Sequence, residues 1–408
     1  MTTVRRITFC AAVLLVLAAT TTALADANPC DKNHYILLSP SPCGIPATDA
    51  AIGAPGAVAA DTRGNVYFSS PNIVFKVDPK GFLTRVAGNG RAGYSGDGGA
   101  ATKALLSFPA TYPELEHDPI DFEELIGALA IDAMGNLYIA DAYNNRVRKV
   151  DSDGTITTVA GNGNRGDTTE DGLAINARFW WPQGVAVDSS GNLFIADGSG
   201  SLRRVAPDGL MTTASGRNNC GNGFLLPGLC APEGIAVDGQ GNVFVADGYC
   251  RIRKVGVDGD IKTIAGKDSV PDAHGWAYTC DYSGDGGPAI NASLLGPFGV
   301  ATDSIGNLFI ADTYNHCVRK VDAESIITTV AGICSNYWKR EISRGFAGDG
   351  GPATDAHLNT PHGVAVDAEG TIYIADTGNN RIRKVSPDGI ITTIAGDGKP
   401  LPLPRSTD

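Results

Sequence analysis

His362, Glu233 and Gln183 hold the same place in three copies of an internal repeat, each between a proline and a glycine (Pro361-His362-Gly363, Pro232-Glu233-Gly234, Pro182-Gln183-Gly184). An imidazole, a carboxyl and an amide brought to one point could ligate a metal or move a proton. The set serves a metal poorly, because catalytic zinc takes three good protein ligands plus an open position and glutamine is a weak third. Phe298 stands at this place in another copy, and Pro55 and Ile126 align with it in the remaining two. The other histidines, His34, His117, His274, His316 and His357, fall in loops without paired metal-ligand spacing. The chain has no G-x-S-x-G, no G-x-x-x-x-G-K-[ST] and no H-E-x-x-H. No cofactor or metal is expected.

A second candidate is Tyr94-Ser95-Gly96-Asp97-Gly98-Gly99, which returns at 282–287 and, as FAGDGG, at 346–351. A glycine loop with one carboxylate suggests a phosphate or metal cradle. It has no P-loop lysine, however, and one acid per copy is too few for calcium. Each full copy runs on into Ala100-Ala101, Pro288-Ala289 or Pro352-Ala353, which suits a short helical turn. The copy at 169–172 is eroded and the stretch 217–231 has none. These loops therefore read as connectors. Asp141, Asp197, Asp247, Asp312 and Asp376, with Asp132, Asp188, Asp238, Asp303 and Asp367, recur too regularly for catalysis and read as turn devices, with Arg148, Arg253, Arg319 and Arg383 as their partners.

The Pro-x-Gly residues and the recurring aspartates and arginines belong to a motif of about 35 residues repeated six times, at 55–88, 126–161, 182–216, 232–266, 297–332 and 361–396. In the last copy four β-rich runs, 363–367, 371–376, 381–385 and 390–395, are separated by turn residues such as Glu369-Gly370 and Pro387-Asp388-Gly389. Helical periodicity is nearly absent. A four-stranded meander cannot bury both faces alone, whereas six arranged radially bury each face against a neighbour. The expected fold is all-β, a six-bladed β-propeller with the Pro-x-Gly residues ringing the mouth of its central channel.

The combination P-x-G-V-A-V-D, G-N-L-Y-I-A-D, N-R-I-R-K-V and I-T-T-V-A-G resembles the NHL repeat across residues 55–396. That resemblance implies a binding platform for protein, RNA or glycan, and occasionally an enzyme. The peptidyl-hydroxyglycine amidating lyase, a propeller similar to NHL proteins, carries zinc-ligating histidines at such Pro-His positions in three blades. Here His362 alone matches. The first copy departs from the pattern, with NVYFSS at 65–70 and NIVFKV at 72–77.

Long connections leave the fourth run of each blade at 89–125, 162–181, 217–231, 267–296 and 333–360, and all emerge on the face that carries the turns between runs two and three. That face is where propellers bind. Trp180, Trp181, Tyr143, Tyr249 and Tyr314 lie on it, the composition of a recognition surface. So do Asn291, in the sequon Asn291-Ala292-Ser293, and an acidic stretch at 114–124. The cysteine positions suggest Cys250–Cys280 and Cys317–Cys334 in equivalent places, with Cys220–Cys230 and Cys30–Cys43 closing short loops.

Arg5-Arg6, the apolar run 7–19 and Ala23-Leu24-Ala25 form the pattern of a secretory leader cut after Ala25. The divisions expected are a leader at 1–25, an N-terminal disulfide-bearing segment at 26–54, the propeller at 55–396 and a tail at 397–408. An exported protein, or a periplasmic one in a bacterium, is expected, without a transmembrane anchor. The formal charge of −12 leaves no basic surface for nucleic acid or anionic lipid. The expected function is a scaffold that recognises an extracellular protein or carbohydrate through its loop-rich face, without catalysis. The alternative is a metal-assisted lyase or hydrolase, amidating-lyase-like or lactonase-like, at the channel mouth.

Overall fold

The computed structural model describes residues 45–108, 127–168, 171–216, 228–267, 282–335 and 345–401. Within them each repeat closes into one antiparallel sheet, and the six sheets form the blades of a β-propeller, numbered here 1 to 6 in chain order. Blade 6 pairs Gly363–Val366, Ile372–Asp376, Arg381–Val385 and Ile391–Ala395 in sequence order. Its first turn is fixed by Asp367, whose Oδ1 accepts the N–H groups of Glu369 and Thr371 while Oδ2 accepts the Tyr373 hydroxyl. Asp132, Asp188, Asp238 and Asp303 make the same turn with an asparagine side chain as the extra donor. These acids are turn devices, as their recurrence suggests.

The second strand of a blade is apolar on both faces because both are covered. Ile372 and Ile374 pack toward blade 5, while Tyr373 and Ala375 pack toward blade 1. One apolar cluster fills each of the six seams. The first strands touch one another around the central channel, and the motif glycine permits that approach. A Cβ on Gly184, Gly234 or Gly299 would lie 2.3, 2.3 or 2.4 Å from the carbonyl oxygen of Glu233, Phe298 or His362 on the next blade.

The same contacts correct the ring at two places. Gly363 abuts the carbonyl of Gly56, so blade 1 offers Gly56, not Pro55, at the position of His362. In blade 2, Leu129 pairs with Ile139 as Val364 pairs with Ile374, which puts Gly127 at that position. Ile126 lies outside the described residues.

The connectors wedge the seams open to a fixed width. A short 3-10 turn with a buried alanine sits at Ala101–Lys103, Ala174–Asn176, Ala289–Asn291 and Ala353–Asp355. Ala47–Asp49 does the same between blades 6 and 1, and Ile45–Pro46 adds a fifth strand to blade 1. Residues 45–54 thus belong to the ring. Blades 2 and 3 gain a fifth strand from their connectors at Gly99–Ala100 and Gly172–Leu173. Among the described residues the seam between blades 3 and 4 has no such turn.

The repeated GDGG loop proves to be one half of a buried ion cluster. Arg148, Arg319 and Arg383 are wholly buried; each spans an acid at the end of its own second strand (Asp141, Asp312, Asp376, all at 3.3 Å) and a connector acid (Asp97, Asp285, Asp349, at 2.6, 2.5 and 2.8 Å). The aromatic residue opening each loop covers the guanidinium, Tyr94 at 4.9 Å, Tyr282 at 4.7 Å and Phe346 at 4.9 Å from ring centroid to Cζ. Partial burial pushes Asp97 and Asp285 upward, but hydrogen bonds and the facing arginines hold both below the usual carboxylate range. In blade 3 the eroded loop is replaced by Asp167, which pairs with Arg203.

Blade 1 shows the alternative. Ser70 and Phe75 stand where the other blades have acid and arginine, and Phe75 packs against Phe68 with ring centroids 5.5 Å apart. Removing one partner of a buried pair strands a charge, whereas replacing both removes the problem. Asp312→Ser should therefore cost about 3–5 kcal/mol. Asp312→Ser with Arg319→Phe, the blade 1 arrangement, should recover at least half of that loss, read from denaturant midpoints of the two variants.

Candidate functional site

Four side chains stand at the channel mouth, Gln183, Glu233, Phe298 and His362, on consecutive blades 3 to 6. Blades 1 and 2 present Gly56 and Gly127 at the equivalent places, so among the described residues the ring side chains crowd one side of the mouth. The cavity beneath is about 70 Å³ and its wall is aliphatic, formed by Val58, Leu129, Val185, Ile235, Val300 and Val364. Such a space admits a few waters or the head of one side chain.

Neither Gln183 nor Glu233 makes a hydrogen bond or ion pair with the described residues, and the surface each retains faces the cavity. Burial, reinforced by the neighbouring Asp247, pushes the Glu233 carboxyl up to about 8. Asp247 itself is paired with Arg251 at 3.1 Å. His362 is buried, stacks on Phe298 with ring centroids 4.9 Å apart, and places Nδ1 2.9 Å from the Thr360 carbonyl. A carbonyl can only accept, so the proton of the neutral ring lies on Nδ1 and the lone pair on Nε2. Phe298 also meets Tyr314 edge-on at 6.3 Å.

A second aromatic group, from blade 2 and the connector into blade 3, ends at Trp181, two residues before Gln183. The Arg165 guanidinium lies 3.8 Å from the ring centroids of both Trp180 and Trp181, and Tyr143 packs on Trp181 at 6.1 Å. Trp180 and Tyr143 remain exposed. Trp181 adopts φ +57° immediately before Pro182, the place held by Gly296 (φ +54°) in blade 5. A tryptophan there carries backbone strain of order 1 kcal/mol. The adjoining backbone is pinned by Trp180 N–H to Asp197 Oδ1 at 2.7 Å and Trp181 N–H to Asn145 Oδ1 at 3.3 Å. Sequence reading found the tryptophans and missed Arg165. In the connector register Arg165 takes the place of Ala92, one residue before the equivalent glycines Gly166 and Gly93, and the local pattern does not mark it.

The remaining expected residues divide as follows. Tyr249 lies in the 3-10 turn Gly248–Cys250, between strands two and three of blade 4. Cys317 and Cys334 form a disulfide, with Cα atoms 5.1 Å apart, and Cys250 is disulfide-bonded. Its expected partner Cys280 lies outside the described residues, as do Cys30, Cys43, Cys220 and the acidic stretch at 114–124. The Cys220–Cys230 bridge is not formed, since Cys230 carries a free thiol. Its N–H donates to Asp247 Oδ1 at 2.5 Å and Arg251 Nη2 approaches its Sγ at 3.6 Å, so the residue is built into the strand-end clamp of blade 4. Asn291 is exposed at the end of a connector turn. The leader and its Cys10 fall outside the described residues. Among those described, no three His, Cys, Asp or Glu side chains are grouped to hold a metal, and no helix is long and apolar enough to cross a membrane.

The teneurin NHL domain model matches residues 274–343 and 342–404, and the NHL repeat model matches 179–203. These matches and the six-bladed fold support the NHL-repeat β-propeller family. This NHL propeller is 26% identical to mouse Teneurin-3 over 361 residues, covering 82% of the chain but 12% of that relative. Human Teneurin-1 is likewise 26% identical, over 385 residues and 13% of its length. The chain thus spans a small fraction of the curated relatives it matches. Among solved structures, a Bacteroides thetaiotaomicron protein of unknown function superposes with TM-score 0.56 at 18% identity, covering 82% of this chain and 70% of that one. An auxiliary nutrient binding protein from the same species gives 0.53 at 14%, covering 84% and 70%. These two share the fold.

Glu233 gives the NHL propeller a distinctive pH response. A carboxyl whose folded pKa is raised from 4.5 to about 8 contributes stability that is fully present below 4.5 and is lost as pH rises through 8. Wild type should therefore lose stability relative to Glu233→Gln between pH 5 and pH 8, with the gap constant above pH 9. Denaturant melts of both proteins across that range check the sign.

Proposed function

We propose that this propeller is an exported recognition module that binds an extracellular protein, or a glycan, through the face carrying the channel mouth and the aromatic rim. The observation that supports this most directly is the Trp180, Trp181, Tyr143 and Arg165 group, which ends two residues before Gln183 at the channel mouth. Flat aromatic surfaces and an arginine, held on a rigid scaffold, are the residue types that dominate binding energy at interfaces. The NHL family matches and the matches to teneurins agree with a role in protein interaction. Export is supported by the leader-like first residues and by a disulfide at Cys317–Cys334, a bond that persists in oxidising compartments. The metal-assisted lyase or hydrolase gains no support from the donor set, since His362 and Glu233 have glutamine and phenylalanine as ring neighbours.

The test is capture of extracellular proteins and glycans on immobilised protein, followed by affinity measurement on the recovered ligand. Trp180→Ala with Trp181→Ala should weaken binding at least 30-fold, as the loss of a central aromatic anchor does, while leaving the thermal transition cooperative. Binding unchanged in that folded double variant would place recognition elsewhere.

A further inference from the structure

We infer that the channel mouth is a receptor for a primary ammonium group on an unbranched alkyl stem, with Glu233 as its counter-ion. The physiological form of that group, on the recognition reading above, is a lysine side chain of the bound partner. Three observations carry the inference independently of the aromatic rim. Among the described residues Glu233 is the one carboxyl lining the cavity, and it has no partner there. Two acceptors without a partner among the described residues border the same space, the Glu233 carboxylate and the Gln183 amide oxygen. An ammonium has three donors and no acceptor, so it satisfies this set, whereas a hydroxyl or carboxylate ligand would leave acceptors facing acceptors. The Phe298 ring at the same mouth favours a cation over a neutral head group.

Size and shape agree. A cavity of about 70 Å³ with an aliphatic wall takes a narrow methylene stem and excludes a sugar ring. Gly56 and Gly127 put no ring side chain on the blade 1 and blade 2 side of the mouth, and among the described lining residues the polar side chains stand on the other side. Among the described residues the other ionisable groups around Glu233 are Asp247, already paired with Arg251, and His362 and Tyr314 on the facing blades, and the cavity lining from blades 1 to 3 contains none.

Capture includes a proton step that balances simply. The protonated Glu233 carboxyl gives its proton to solvent, and the carboxylate so formed pairs with the ammonium, which keeps all three of its own. Since burial holds the carboxyl at about 8, affinity should rise close to tenfold per unit from pH 6 to pH 7 and level off above pH 8.

The experiment titrates n-butylammonium, n-butylguanidinium and n-butanol into the folded full chain by calorimetry, at pH 6, 7, 8 and 9 and in two buffers of different ionisation enthalpy. The expected result is one site for n-butylammonium with an affinity of millimolar order, release of nearly one proton at pH 7, and at least tenfold weaker binding of the other two probes. Glu233→Gln should abolish it, and Gln183→Ala should weaken it severalfold, both with a cooperative melt. Binding that survives Glu233→Gln, equal binding of n-butanol or n-butylguanidinium, or an affinity flat between pH 6 and pH 8 would overturn the inference. Titrating n-butylammonium into Trp180→Ala with Trp181→Ala separates this inference from the recognition reading. Unchanged amine binding there, in a variant that still captures its partner, removes the aromatic rim and leaves the channel site standing.

Discussion

The carboxylate that ends the second strand of five blades holds the ring together at its busiest point. Asp141, Asp197, Asp247, Asp312 and Asp376 each accept a backbone N–H from the connector that enters their own blade, at 2.7, 2.7, 2.5, 2.7 and 2.8 Å. In three blades the same acid also receives an asparagine amide and a buried arginine whose other end grips the connector. A long surface loop is thereby tied to a core strand in its last residues, just before it becomes the innermost strand of a blade. The rigidity of the channel mouth follows, because the residues around it are the ones this clamp delivers.

Burial makes that clamp costly and specific together. It pushes Asp312 and Asp376 up to about 6 even with an arginine and several donors facing them. Desolvating such a cluster gains little net stability over an apolar core, and blade 1, with Ser70 and Phe75, does without it. What the ion cluster adds is a fixed position for the connector, and the blade that lacks it receives residues 45–54 there instead of a long insertion.

Much of this was legible in the sequence, because the repeat displays its own period. Strand order, blade number and the turn role of Asp132 or Asp367 follow from alternation and from acids placed two and four residues before a donor. The face that carries the connectors follows from loop length. The site was legible only in part. Taking Pro55 and Ile126 as ring residues sets the first two blades one residue out, whereas counting back from Asp61 and Asp132 as one counts back from Asp367 to His362 gives Gly56 and Gly127. The loss of the Cys220–Cys230 bridge was hidden for a related reason, since an even count of cysteines says nothing about which thiol is already engaged by a guanidinium. Arg148 and Asp97 are 51 residues apart, and only the packed seam brings them within hydrogen-bond reach.

The seam between blades 6 and 1 differs from the rest in how the chain passes through it. Elsewhere the wedge and both blades it separates are consecutive in sequence, but here residues 47–50 meet residues 396–397, with Gly396 N–H on the Ala47 carbonyl and Asp397 N–H on the Ala50 carbonyl, both at 2.9 Å. Leu401 packs on the same cluster beside Gly53. The two ends of the described chain are therefore each other's lock. Tension applied between them would load this one short joint in shear before any blade, so the ring is mechanically a clasped bracelet whose clasp lies next to the blade that presents His362.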